Sequence, residues 1–211
     1  MRRRTRAAVL AALTIALAGG CADAKEPAPA GGSPSAAPSP TASPVTPGPP
    51  WYDEVVAAPA GTTVGRKGTP CELPVTFSVP AKWKVKAAGS PTNRGKAHLL
   101  CEIEAPSSGA VGSLRLWRVD GVAGGAEAHL KHFVGAYAPK AADLTYRRGK
   151  AGSVDAVEAS YRKSEGSKVH ERAVAVSSLY GPIVLSLDGA GRAELLPAYQ
   201  LVRQSARINR D

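Results

Sequence analysis

Few residues in this chain have types and spacing that could do chemistry: Cys71 and Cys101, His129 and His132, Glu102 and Glu104, and one early cysteine, Cys21. His129 and His132 stand three apart, a spacing that two metal ligands on a helix can use. At about 100° per residue, however, His132 points well away from the apolar stripe of its helix and His129 lies at the stripe's edge. No carboxylate–histidine partner is evident, so both are expected to be solvated. Glu102 and Glu104 are two apart on one strand face, which could pair them as a glycosidase needs. Beside lysines they read better as solvated strand residues. The nucleophile elbow G-x-S-x-G does not occur, and Ser108-Gly109, Gly112-Ser113 and Gly152-Ser153 are turn dipeptides. There is no phosphate-binding loop, no H-E-x-x-H and no dinucleotide fingerprint; Gly121 to Gly125 lacks the spacing. The chain is therefore expected to be no enzyme, with no cofactor and no metal. An enzyme whose catalytic residues are dispersed, for example Glu102, His98 or Arg115, is the least favoured alternative.

Cys71 and Cys101 have no C-x-x-C spacing and only His98 nearby, which makes zinc a poor fit. Each shares the apolar parity of its own strand. A disulfide is the expectation, worth roughly 3 kcal/mol if unstrained. Two free buried thiols, or half of a metal site, are the alternatives.

The start of the chain sets the compartment in which this chemistry is read. Arg2, Arg3, Arg4 and Arg6 precede an apolar run from Ala7 to Ala18, and Gly19-Gly20-Cys21 follows. A charged start, a short apolar middle and a small-residue exit describe a secretory signal peptide over residues 1–20. The run falls short of the roughly 20 residues that span a bilayer, and no second such run exists. Leu17-Ala18-Gly19-Gly20-Cys21 resembles the lipobox of bacterial lipoproteins, whose cysteine receives a diacylglycerol on sulfur and a new amino terminus. The family prefers a large aliphatic residue three before the cysteine; here Ala18 holds that place and Leu17 is one step further out. The resemblance implies lipidation at Cys21, and more than one acyl chain gives stable attachment. A twin-arginine signal competes less well, because Arg3-Arg4 is followed by Thr5-Arg6. A cleaved signal that leaves Cys21 as a disulfide partner is the other alternative.

The 211 residues carry 27 Lys plus Arg against 17 Asp plus Glu, a net charge of +10. Residues 1–20 hold four arginines and no acid, so 23 against 17 leaves +6 after cleavage. A cationic surface outside a cell suits anionic lipid headgroups or acidic wall polymers rather than nucleic acid. A solvated basic surface without a partner fits equally well. From Pro27 to Pro50 every residue except Val45 is Pro, Ala, Gly, Ser or Thr, and nine of the 18 prolines lie here. With no apolar face to bury, residues 21–50 are expected to be a disordered tether, biased to extended polyproline geometry. Composition does not decide whether its Ser and Thr residues are glycosylated.

Residues 51–211 are long enough for one domain with a sizeable core, placed at about 71–208. Trp51 to Val56 reads as a short amphipathic lead-in, and Gly61 to Pro70 as loop. Leu73, Val75, Phe77 and Val79 alternate as a half-buried strand. Trp83 and Val85 alternate with Lys82, Lys84 and Lys86, a row that protects a sheet edge more often than it binds. Leu99, Cys101 and Ile103 mark the next strand, and Leu114 and Leu116 another. Ala126, Leu130, Phe133, Val134 and Tyr137 share one helix face, after Gly124-Gly125 and before Ala138-Pro139. Strands follow near Leu144 to Lys150, Val157 to Tyr161 and Val169 to Leu179. Ile183 to Leu187 is nearly continuously apolar, as a central strand is. A last helix from about Ala193 carries Leu195, Tyr199, Val202 and Ala206, with Pro197 tolerated only in its first turn. Short strand links imply antiparallel pairing, hence an α+β fold with an antiparallel sheet flanked by helices.

Phe77-Ser78-Val79-Pro80-Ala81-Lys82-Trp83-Lys84-Val85 is similar to the opening strands of actinobacterial Lpq-type lipoproteins and of the PsbP-like fold. The resemblance implies an αβα sandwich over about residues 71–208, and binding or scaffolding in envelope assemblies rather than catalysis. The expectation is a lipid-anchored, extracytoplasmic binding or accessory module at the outer face of the plasma membrane, with an envelope protein, anionic lipid or wall polymer as partner. The alternative is a carrier with an apolar pocket between sheet and helix, lined by residues such as Phe133, Tyr137 and Tyr199.

Overall fold

A computed structural model describes residues 47–106, 113–189 and 194–210. The expected signal peptide, Cys21 and the tether up to residue 46 lie outside these residues. In chain order run β1 (Thr62–Val64), β2 (Val75–Val79), β3 (Lys84–Ala87), β4 (Asn93–Arg94), β5 (Ala97–Glu104), β6 (Ser113–Val119), α1 (Ala126–Tyr137), β7 (Ala142–Ala151), β8 (Val154–Arg162), β9 (His170–Val176), β10 (Ile183–Asp188), α2 (Leu195–Ser205) and β11 (Arg207–Ile208).

The apolar run Ile183–Leu187 lies in β10, the middle of an eight-stranded sheet ordered β3-β5-β6-β10-β9-β8-β7, with β4 added against β5. All its pairings are antiparallel, as short connections require. Both faces of this sheet are covered, so its central strands are apolar on both parities. β9 shows the division of labour. Ala173 and Ala175 face α1, and their small side chains let the helix sit close; Val174 and Val176 fill the opposite core.

On one face, Leu130, Phe133 and Val134 of α1 pack on Trp117, Ala159, Tyr161, Ala175 and Val184. The helix occupies the span its stripe predicts, and Ala138-Pro139 ends it. On the other face, α2 lies beside a small antiparallel sheet ordered β1-β2-β11, and together they bury Val75, Phe77, Val79, Tyr199 and Val202 against Ile103, Leu114, Leu116, Leu185 and Leu187. Pro197 falls in the first turn of α2, where its missing N–H leaves no bond unmade.

The layers are thus helix, large sheet, then helix with a small sheet. This is α+β and antiparallel as expected, but the second cover is a mixed layer rather than the helical layer of an αβα sandwich. β1 lies within Gly61–Pro70, read above as loop, and β3 starts at Lys84 because Lys82 turns the chain with a φ of 68°. β3 is an edge of the large sheet, and its Lys84 and Lys86 are exposed there, the edge-guarding role expected of that row. A disulfide joins Cys71, between β1 and β2, to Cys101 of β5, with the Cα atoms 5.8 Å apart. It ties the small sheet to the large one, with both cysteines buried in the core between them.

Candidate functional site

Two polar clusters lie on opposite faces of the large sheet. The first forms where the chain enters the domain. Residues 48–56, the lead-in Trp51 to Val56 and the three residues before it, form a strap that none of its own residues anchors by full burial. Its holds are polar and aromatic. Asp53 accepts from Arg147 of β7 through both oxygens, at 2.5 and 2.7 Å, and from Nη1 of Arg203 of α2 at 3.0 Å. Glu158 of β8 lies under the same pair of arginines. It accepts from Arg147 Nε at 2.7 Å and from the hydroxyl of Tyr199 at 2.8 Å. The Arg147 guanidinium stacks against the Trp51 ring, 4.2 Å from its centroid. Burial opposes the charge on Arg147, but Asp53 and Glu158 outweigh it and raise the pKa.

Arg172 of β9 completes this cluster from below. It points inward with the parity of Val174 and Val176 and is 0 % exposed. Its Nη2 donates to the carbonyl of Pro50 at 2.9 Å, and its guanidinium lies over the rings of Tyr52 and Tyr199, at 5.1 and 5.7 Å. Its Nε and Nη1 find no hydrogen-bond partner among the described residues. Burial pulls its pKa below the usual arginine value, against the opposing pull of Tyr199 and Glu158. Gln200 donates to the Tyr52 carbonyl and Ser160 to that of Pro50, so β8, β9 and α2 all reach the strap.

The second cluster lies at the end of α1. Asp188 of β10 accepts from the Tyr137 hydroxyl at 2.6 Å, from Arg115 of β6 at 2.6 Å and from Lys163 at 3.1 Å. Arg115 also donates to Glu102 of β5 at 2.7 Å, and Lys163 stands 3.5 Å from Glu171 of β9. Burial, reinforced by Asp188, holds the Tyr137 phenol well above its usual range. Burial likewise raises Glu171. Asp188 has its oxygens engaged by three donors and Tyr137 is held protonated. The cluster clamps α1 to the sheet end and offers no free base beside a nucleophile.

Sequence expectations meet this geometry unevenly. Glu102 is bound to Arg115 and Glu104 to Lys86, so the two carboxylates serve separate cations. His98 contacts Asn93 and Asp120 at the sheet surface. His129 is 7 % exposed rather than solvated, because α1 lies flat enough on the sheet to cover the edge of its stripe; its Nδ1 meets the Gly125 carbonyl. His132 is half-buried. Phe133 and Tyr199 are both fully buried, on opposite faces of the sheet, and so cannot line one pocket. The apolar cavity between the large sheet and α2, lined by Phe77, Leu116, Val174 and Val202, measures about 20 Å³, room for little more than one water molecule. Among the described residues no group of three or more His, Cys, Asp or Glu is placed to hold a metal, and no helix is long and apolar enough to cross a membrane. Asp53, Arg147, Arg172 and Arg203 were not singled out from sequence; the inward parity of Arg172 beside Val174 and Val176 was the one available signal.

Comparisons with known proteins bear on the whole domain. A family model described as uncharacterised lipoprotein matches residues 41–206. No curated protein matches the chain by sequence. The solution structure of cyanobacterial PsbP (CyanoP) from Synechocystis sp. PCC 6803 is similar, with 12% identity over 64% of this chain and 87% of that one, at a TM-score of 0.47.

Proposed function

The chain belongs to the uncharacterised lipoprotein family, and from that premise we propose that it is a lipid-anchored binding or accessory module of the cell envelope, without catalytic activity of its own. In this reading Cys21 carries the lipid at the outer face of the plasma membrane. Residues 22–50 are the tether, whose last residues, Gly48 to Pro50, enter the strap, and the domain meets a partner such as an envelope protein, an anionic lipid or a wall polymer. The observation that carries the proposal is the family match over residues 41–206, downstream of the lipobox-like Leu17–Cys21. The docked strap supports it, since it joins the end of the tether to β7, β8, β9 and α2 through Asp53, Pro50 and Tyr52. The finer assignment, an Lpq-type lipoprotein of an actinobacterium with a PsbP-like domain, rests on Phe77–Val85 and is part of the same proposal.

The mass of the mature protein tests the anchor. The expected result is loss of residues 1–20 and the added mass of acyl chains on Cys21. Cys21→Ser protein is expected in the soluble fraction. A variant that stays with the membrane as firmly as the parent would refute the anchor.

A further inference from the structure

We propose that Arg147, Arg172 and Arg203 form a binding site for a phosphate group, and that the strap's Asp53 occupies this site as an internal stand-in. Three observations carry it. The first is convergence. Guanidinium groups from β7, β9 and α2 gather under one short segment; Arg147 holds the Asp53 carboxylate in the fork geometry that also fits a phosphate, and Arg203 adds one more bond through Nη1. The second is charge. With Asp53 in place the three arginines face two carboxylates; with the strap lifted only Glu158 remains, and the floor carries a local charge of about +2.

The third is the incomplete satisfaction of Arg172. The strap seals it from water yet supplies one acceptor, the Pro50 carbonyl, and leaves Nε and Nη1 bare. Burying donors without partners works against the closed state, and lifting the strap hydrates them. A phosphate has more acceptor oxygens than Asp53 and more charge, so it can serve the donors that the strap leaves idle. The strap, for its part, has no fully buried residue to hold it; the Ala58 N–H to Pro197 carbonyl bond at its base must break for it to lift, and the exposed Pro59 and Ala60 separate that bond from the next, Gly61 N–H to the Val79 carbonyl. When the strap lifts it takes Trp51 and Tyr52 off the arginines, and the Tyr199 ring, 5.7 Å from the Arg172 guanidinium, stays as a wall of the site.

This deepens the binding-module reading and rests on it only for what presents the phosphate. The phosphate could be free or on a lipid headgroup. The test uses the mature-length chain carrying Cys21→Ser, so that it does not depend on the anchor. Hydrogen exchange is followed at the Ala58 amide, whose 2.9 Å bond to the Pro197 carbonyl of α2 ties the base of the strap to the domain. Inorganic phosphate is titrated against chloride at matched ionic strength. Vesicles of phosphatidylcholine, with and without phosphatidic acid, form the second arm. Faster strap exchange with phosphate points to a soluble ligand, and with phosphatidic acid vesicles alone to a headgroup; either supports the site. No change in both arms, or an equal change with phosphatidylcholine alone, overturns it. Asp53→Asn is expected to bind phosphate about tenfold more tightly, because the internal competitor is weakened, and a further Arg147→Ala to abolish the gain. Equal affinity in Asp53→Asn and parent would also overturn it. Should Asp53→Asn not fold, strap exchange in the parent chain decides alone.

Discussion

Asp53 and Arg147 lie 94 residues apart in sequence and meet in a two-pronged ion pair, Nη1 to Oδ2 at 2.5 Å and Nη2 to Oδ1 at 2.7 Å. The Asp53 side chain is only 7 % exposed, so its loss leaves Arg147 and Arg203 facing each other with Glu158 alone between them. Asp53→Ala is expected to destabilise the domain by about 2–3 kcal/mol, below the 3–5 kcal/mol of a fully buried pair because Glu158 remains. In a double-mutant cycle with Arg147→Ala, measured by urea unfolding, the coupling should be about 1–3 kcal/mol. A coupling near zero would mean that the strap is held by its rings and not by its charge.

The Cys71–Cys101 bond closes a loop across two sheets. Its sequence separation of 30 corresponds to about 3–4 kcal/mol of restricted unfolded chain. The paired Cys71→Ser and Cys101→Ser variant should lose that much in denaturant unfolding, somewhat more if both hydroxyls stay buried without partners. Reduction of the parent should gain two hydrogens in mass. Unchanged stability in the double variant would show that the small sheet is held by packing alone.

Gly152 turns the chain between β7 and β8 with a φ of 55°, and a Cβ there would lie 2.1 Å from the Ala206 carbonyl oxygen at the end of α2. The turn and the helix end are also bonded, Ser153 N–H to the same carbonyl at 3.0 Å. Gly152→Ala therefore combines left-handed strain with a backbone clash that no side-chain rotation relieves. It should cost at least about 2 kcal/mol. Gly149, within β7, would have nothing within 4 Å of an added Cβ, so Gly149→Ala serves as the control, with a change within about 1 kcal/mol. Similar thermal midpoints for the two variants would disprove this turn–helix contact.

How far these features were legible in the sequence depends on whether a residue's role repeats along the chain. The stripe Ala126, Leu130, Phe133, Val134, Tyr137 gave α1 its observed limits because burial recurs every three or four residues. The nearly continuous apolar run of β10 marked the centre of the sheet for the same reason. β1, β4 and β11 are two or three residues long, too short to show any period. The strap was the largest loss. Trp51, Tyr52 and Asp53 are docked by contacts to residues about 90 to 150 positions away, and such pairings leave no local pattern. The polar pair Tyr137 and Asp188 was hidden likewise, since β10 and α1 are joined only in space.

The last prediction concerns pH and follows from Glu171. Its carboxyl sits against α1's face of the sheet, and burial raises its pKa above the usual 4.5, with Asp188 adding to the rise while Lys163 and the Gly189 N–H oppose it. The native state thus holds this proton more tightly than the unfolded chain. Between pH 4.5 and the raised value, stability falls as pH rises, and the loss is complete above that value. Glu127 acts in the opposite sense. Hydrogen bonds from Lys131 and Arg148 lower its pKa from 4.5 to about 2, so its contribution is full above pH 4.5 and is lost as pH falls towards 2. Unfolding free energies of parent and Glu171→Gln should therefore diverge as pH is raised from about 4.5, with the variant gaining on the parent, whatever constant offset the lost Lys163 pair adds. Glu127→Gln should instead flatten the curve on the acid side. A parent-minus-Glu171→Gln difference that stays level from acid to neutral pH would mean that the native carboxyl is hydrated and that the α1 end of the sheet is open to water.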